Sequence, residues 1–222
     1  MTTTVQDVMT ARVVSVPESA GYKDIVTLLR RHRVSAVPVV DSAGRVTGVV
    51  SEADLLAKQT APALPTGAVR MAWRLRERSK AAAVTAAELM TSPAVTVTPG
   101  ADVARAARLM RDRQVKRLPV VDADGHLAGI VSRMDVLSVY ERPDGQIRDE
   151  VATGVIAGRF LLDSLSFGVT VRSGIVKVTG QADSRACALS LLGAVRNVEG
   201  VVAVRDRLTY PPSEHYTPNP MF

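Results

Sequence analysis

Two serines, each three residues ahead of an aspartate, are the side chains in this 222-residue chain best suited to hold a small polar ligand. Ser51 precedes Asp54, Ser132 precedes Asp135, and an apolar run, 46–50 or 127–131, comes just before each pair. A Ser at the start of a helix lies beside unpaired backbone N–H groups and a positive helix end, which attract anions such as phosphate. A carboxylate next to it can accept both hydroxyls of a ribose, as the ribose-reading acid does in dinucleotide folds. The same spacing also builds a capping box, in which Ser caps the helix and the acid returns the bond. Spacing alone leaves both roles open, and one residue can fill both.

The two motifs are copies. Positions 81 apart match without a gap from Met9/Met90 to Leu56/Leu137, with 18 identities. Two copies of one supersecondary unit usually bury their open faces against each other. Each copy predicts the order β-α-β-β-α. In the first (residues 1–57), a short strand over 13–16 precedes a helix from Gly21 to Arg33. Strands over 37–40 and 46–50 follow, split by an Asp41–Gly44 turn, and a helix starts at Ser51. The second copy (88–142) predicts a strand over 95–97, a helix from Ala101, a hairpin turning at Asp122–Gly125 and a helix from Ser132. In the first copy the Val-rich runs 37–40 and 46–50 lack polar alternation, so burial on both faces is expected. Arg142-Pro-Asp-Gly145 punctuates a boundary. Residues 146–210 then read as α-β-β-α-β: Ile147, Val151, Val155 and Ile156 stripe a helix, and a hairpin turns at Ser173-Gly174. Residues 211–222 read as a Pro-rich mobile or docking tail.

Composition narrows the function classes. Apolar residues make up 46% of the chain and aromatics 4%, so the core is built from Val, Leu, Ala and Ile. No apolar run reaches the ~18 residues of a membrane span, and the N-terminus lacks the features of a secretory signal. The lone Cys187 excludes an internal disulfide framework. A cytoplasmic protein is expected. The net charge of +6 is concentrated in residues 58–87, where six cations face the single acid Glu77. That insert reads as a partly helical basic linker with Arg70, Arg74 and Arg78 on one face, a solvated connector or an anion patch. With no interleaved aromatic residue beyond Trp73, it argues against nucleic acid.

Nothing in the pattern supports catalysis. His32, His126 and His215 are scattered, with no second metal ligand at a useful spacing, so no metal is expected. Ser51 and Ser132 lack a nearby base to activate them, and no phosphate-cradling Gly loop is present. No catalytic residue and no required cofactor are assigned.

Residues 7–57 and 88–138 resemble a tandem pair of CBS domains, the modules named after cystathionine β-synthase. The resemblance rests on Met9-Thr10 and Met90-Thr91, on HRVSAVPVVD from His32 to Asp41 and VKRLPVVD from Val115 to Asp122, and on GVVSEAD ending at Asp54 and GIVSRMD ending at Asp135. It implies an α+β (α/β-like) pseudo-twofold module with two clefts that take an adenosyl ligand: AMP, ADP, ATP or S-adenosylmethionine. Carried over by position, one cleft would use Ser51, Asp54, Thr91, Val95, Lys116, Arg117 and Pro119. The other would use Thr10, Val14, Ser35, Ala36, Pro38, Ser132 and Asp135. Lys116 and Arg117 would then bring two cations to the Asp54 cleft against none at Ser35-Ala36, so the Asp54 cleft is expected to prefer polyphosphorylated nucleotide.

The C-terminal part is similar to a BON domain, through GIVKVTG ending at Gly180 and VEGVVAV ending at Val204. That family is associated with phospholipid surfaces or protein contacts. A CBS pair followed by BON suggests a bacterial, often actinobacterial, regulatory protein: a non-enzymatic sensor, homodimeric through the CBS module, relaying its ligand state to an unknown protein partner. Two other classes stay open, a ligand-free docking protein and a basic-linker anion or RNA binder.

Overall fold

The computed structural model describes residues 3–56, 83–163 and 166–211. The chain separates into two units, Met1–Val136 and Leu137–Phe222.

In the first unit, α1 (Val5–Val8) and β1 (Val16–Pro17) precede α2 (Tyr22–His32), β2 (Ala36–Val40), β3 (Val46–Ser51) and α3 (Glu52–Leu56). Ile25 and Leu29, one turn apart, form the buried stripe of α2, and Arg33 caps it in the left-handed region at φ 53°. The second copy has α4 (Ala86–Leu89), α5 (Val103–Asp112), β4 (Arg117–Val121), β5 (Leu127–Ser132) and α6 (Arg133–Leu137). Asp102 caps α5 by accepting the Arg105 N–H, and Val103, Ala106 and Met110 are its buried face. One sheet runs β1-β2-β3, and β4 pairs with β5 alone. In place of the strand expected over 95–97, Val97 makes a single parallel bridge to Val120.

Both hairpin turns follow from their aspartates. Asp41 Oδ1 accepts the N–H groups of Ala43 and Arg45, and Asp122 Oδ1 those of Asp124 and His126. Gly44 and Gly125 take φ 82° and 87°, which only glycine adopts cheaply. β2 is buried on both faces, as expected, and so is β4, whereas β3, expected to be buried likewise, alternates, as does β5. The reason is that Val49 and Ile130 face open cavities.

The packing units are not the sequence repeats, because each copy gives its leading segment to the other. Val5 is fully buried with Val97, Ala106, Met110, Leu118, Val120 and Val131, the core of the second copy. Its N–H donates to Ala101 O (2.8 Å), and Thr10 pairs with Ile130 on β5. Conversely Ala83, Ala86 and Leu89 complete the core of Ile25, Leu29, Val37, Val39 and Val50, and Thr91 pairs with Val49 on β3. Four-residue helices such as α1 and α4 cannot form alone in water and draw their stability from this burial. Sequestering one Val side chain stabilises by about 1.5–3 kcal/mol. Two glycines admit the exchanged segments. A Cβ on Gly48 would collide with Met90 Sδ, and one on Gly129 with Met9 Sδ.

In the second unit, α7 (Asp144–Asp149) continues into a π-helical segment, Glu150–Arg159. Ile147, Val151, Val155 and Ile156 are all buried, and their spacing of four and five suits the wider i→i+5 helix. They pack with Val176, Val178, Leu191 and Val195. β6 (Phe167–Arg172) pairs antiparallel with β7 (Ile175–Gln181), and after α8 (Arg185–Arg196), β8 (Ala203–Thr209) adds parallel to β7. The Ser173-Gly174 turn has two positive φ angles, 50° and 72°, as a type I′ hairpin requires. Asp144 fastens it by accepting the N–H groups of Ser173 (2.7 Å) and Gly174 (2.8 Å). Among the described residues, no helix is long and apolar enough to cross a membrane.

Candidate functional site

Among the described residues of the first unit, two cavities are each walled by both copies of the repeat. The smaller, about 270 Å³, is lined by Ser51, Asp54, Thr91, Val95, Lys116 and Arg117, among others. The larger, about 950 Å³, is lined by Thr10, Val14, Ser35, Ala36, Ser132 and Asp135, among others. The exchange of segments creates this arrangement. Thr91 reaches the Ser51–Asp54 wall because it pairs with Val49, and Thr10 reaches the Ser132–Asp135 wall because it pairs with Ile130.

Pro38 and Pro119 line neither cavity. They are buried inside β2 and β4, opposite Val49 and Ile130, two residues or about 7 Å past the wall positions Ala36 and Arg117. The patch expected at Arg70, Arg74 and Arg78 lies outside the described residues, as does the tail from 212 on.

Both aspartates make the contacts of a cap. Asp54 Oδ2 accepts from the Ser51 N–H (2.8 Å) and the Ser51 hydroxyl (2.7 Å). Asp135 Oδ2 accepts the Ser132 N–H at 2.7 Å, and the Asp135 N–H reaches Ser132 Oγ at 3.4 Å. The capping and wall-lining roles therefore coexist, with the carboxylates held in place on the cavity walls.

Arg117 does not stay in one cavity. Its guanidinium hydrogen-bonds Ser35 Oγ and donates to Ala36 O at 3.4 Å, so it forms part of the partition, and it lines both cavities together with Ser35, Ala36 and Glu52. Burial pulls its pKa down, while the carboxylates of Glu52 and Asp135 pull it back. The expected count of two cations for the Asp54 cavity and none for the other is thus corrected, since one of the two is shared.

Several wall residues escaped the motif comparison: Arg12, Tyr22, Arg30 and Arg33 on the larger cavity, and Gln114 on the smaller. Tyr22 ties α2 to α3 by donating to Leu55 O (3.0 Å). The 81-residue offset would have exposed the contrast between Arg12 and Pro93 and between Arg33 and Gln114. Away from the cavities, Asp122, Asp124 and His126 bring ligand atoms within 4.8 Å of one another at a hairpin tip. Asp122 there serves the turn, and the backbone N–H of His126 holds its pKa below the ordinary value.

Residues 5–60 and 86–142 match the CBS domain, and residues 143–212 match the BON domain. The chain belongs to the CBS domain family, as a tandem pair followed by a BON domain. It is 33% identical over 147 residues to the chloroplastic CBS domain-containing protein CBSX2 of Arabidopsis thaliana, covering 60% of this chain and 62% of that protein. It is 27% identical over 132 residues to the CBS domain-containing protein YhcV of Bacillus subtilis, covering 60% of this chain and 81% of that one. A solved structure of CBSX2 in complex with AMP superposes with a TM-score of 0.54 at 34% identity, over 60% of this chain and 93% of that one.

Proposed function

We propose that this chain is a non-enzymatic sensor whose CBS pair binds an adenosyl ligand (AMP, ADP, ATP or S-adenosylmethionine) and whose BON domain passes the ligand state to a protein partner. The observation that carries the reading is that each Ser-x-x-Asp motif of one repeat shares a cavity with the Thr-containing segment leading the other. In the smaller cavity Asp54 would take the ribose, with Ser51 and Thr91 beside it and Val95 against the base. In the larger, Asp135 would take the ribose, with Ser132, Thr10 and Val14 in the matching places. The AMP complex of CBSX2 supports the ligand class. A homodimer suits the exposed Leu56 and Met134 on the short helices α3 and α6, at 56% and 71% exposure.

Thermal unfolding with AMP, ADP, ATP or S-adenosylmethionine tests this. A ligand that binds only the folded state stabilises it by about 2.7 kcal/mol at a hundredfold excess over its dissociation constant. Asp54→Ala or Asp135→Ala should abolish the response of the cavity it lines. If none of the four ligands raises the melting point, the aspartates are only caps.

A second reading, contact of the BON domain with an anionic phospholipid surface, is favoured by the outward face of its sheet. Lys177 and Arg205 are neighbours across β7 and β8, Arg207 follows two residues on, and Arg172 stands at the end of β6. All four are exposed, the face carries no carboxylate, and none of the four has an ion pair among the described residues.

A further inference from the structure

The two cavities descend from one sequence pattern, so their walls can be compared position by position. Where the smaller has Pro93 and Gln114, the larger has Arg12 and Arg33, and Arg30 stands near them at the end of α2. The smaller answers with Lys116, where the larger has Ser35. Glu52 and Arg117 border both, and one further aspartate borders each. The larger cavity thus sets the four guanidiniums of Arg12, Arg30, Arg33 and Arg117 against the two carboxylates of Glu52 and Asp135. The smaller sets two cations, Lys116 and Arg117, against Glu52 and Asp54. Arg12, Arg30 and Arg33 are exposed, and none is in an ion pair among the described residues, so their charge is available to a ligand. Guanidinium groups match phosphate oxygens in bidentate geometry. The volume points the same way, at about 950 Å³ against about 270 Å³.

We propose that the cavity beside Asp135 takes a ligand carrying two or more phosphates, held by Arg30, Arg33 and Arg12, while the cavity beside Asp54 takes a ligand with one phosphate or none. This rests on the sensor reading for the adenosyl part and reverses the preference expected from Lys116 and Arg117. Titration calorimetry on the full chain, without divalent cation, reads it with AMP, ATP and inorganic tripolyphosphate as probes. ATP should bind about tenfold more tightly than AMP, equivalent to about 1.4 kcal/mol, and added salt should narrow the gap. The double variant Arg30→Gln/Arg33→Gln, at exposed positions, should fold normally and lose most of that preference, with AMP still bound.

Equal binding of AMP and ATP by the wild type would overturn the assignment and leave the sensor reading standing. So would a preference that survives the double variant and disappears with Lys116→Gln. Tripolyphosphate binding that needs Arg30 and Arg33, with neither nucleotide bound, would keep the anion assignment and sink the adenosyl reading. No binding of any probe would sink both.

Discussion

A single methyl group tests the exchange of leading segments, because its presence reverses the sign of the expected effect. Gly48 lies inside β3, where glycine ordinarily costs about 0.5–1 kcal/mol relative to alanine. If the strand packed only within its own repeat, Gly48→Ala would be neutral or stabilising. Here the added Cβ would meet Met90 Sδ, with Met90 Cγ at 2.8 Å and Cβ at 3.0 Å. The sulfur can swing aside, but Met90 Cβ moves only with its backbone, and that segment is fixed by the two hydrogen bonds between Thr91 and Val49, at 2.9 and 3.2 Å. Overpacking of this kind costs about 1–3 kcal/mol, which for a chain of this size lowers the melting temperature by about 3–10 °C. Thermal unfolding followed by circular dichroism reads it. Met90→Ala removes Sδ and Cγ, the two nearest atoms, and leaves only the Cβ contact at 3.0 Å, so the Gly48→Ala/Met90→Ala pair should be more stable than the sum of the single effects predicts, by about 1 kcal/mol. A Gly48→Ala variant at least as stable as wild type, or strictly additive mutations, would refute the exchanged packing.

The hairpin aspartates set an acid limit. Backbone N–H donation from Arg45 to Asp41 and from His126 to Asp122 lowers both pKa values, so their contribution is complete above the unfolded value of about 3.9 and fades as pH falls toward the lowered folded values. Melting temperature should decline below about pH 4, and Asp41→Asn/Asp122→Asn should flatten that decline, where an unchanged slope would exclude these turns as its source. For the BON sheet, sedimentation with vesicles containing anionic phospholipid should retain the wild type and release Arg205→Gln/Arg207→Gln, with neutral phosphatidylcholine vesicles retaining neither. Equal sedimentation of the two proteins would remove the outward face from the lipid reading.

Local chemistry was legible in the sequence, and distant chemistry was not. The Asp41–Gly44 and Asp122–Gly125 turns, the α2 stripe and the Ile147–Ile156 stripe depend on neighbours within a few residues, and the pattern exposes them directly. The exchange of residues 3–10 and 83–91 does not, because Val5 looks equally apolar whichever core buries it. Its partners, such as Val97 and Leu118, lie about a hundred residues away. The wall arginines were visible but unassigned: Arg12 and Arg33 stand where the repeats differ, which motif matching passes over, and Arg30 repeats as Arg111 outside the matched motifs. Arg117 illustrates the remaining limit: its identity assigned a charge to one cavity, whereas its long side chain shares that charge between both.

The backbone of the module repeats while the cations on its cavity walls do not, and this division has a physical basis. Arg33 and Gln114 hold the same left-handed conformation at φ 53° and 55°, and Gly48 and Gly129 each admit a methionine from the other copy. These features serve the fold and tolerate little change. Residues 35–36 and 116–117 serve the partition, where identical side chains would conflict. Arg117 crosses to Ser35 Oγ and Ala36 O because both first-copy residues are small and leave it two acceptors. An arginine at position 36 would set a second guanidinium at the same partition, with like charge to repel and its carbonyl screened by its own side chain. One copy must therefore carry the small pair if the other carries the long one. The asymmetry of the shared wall follows from packing before any ligand is considered, and because Arg117 serves both cavities, Arg12, Arg30 and Arg33 are left to set the charge of the larger one.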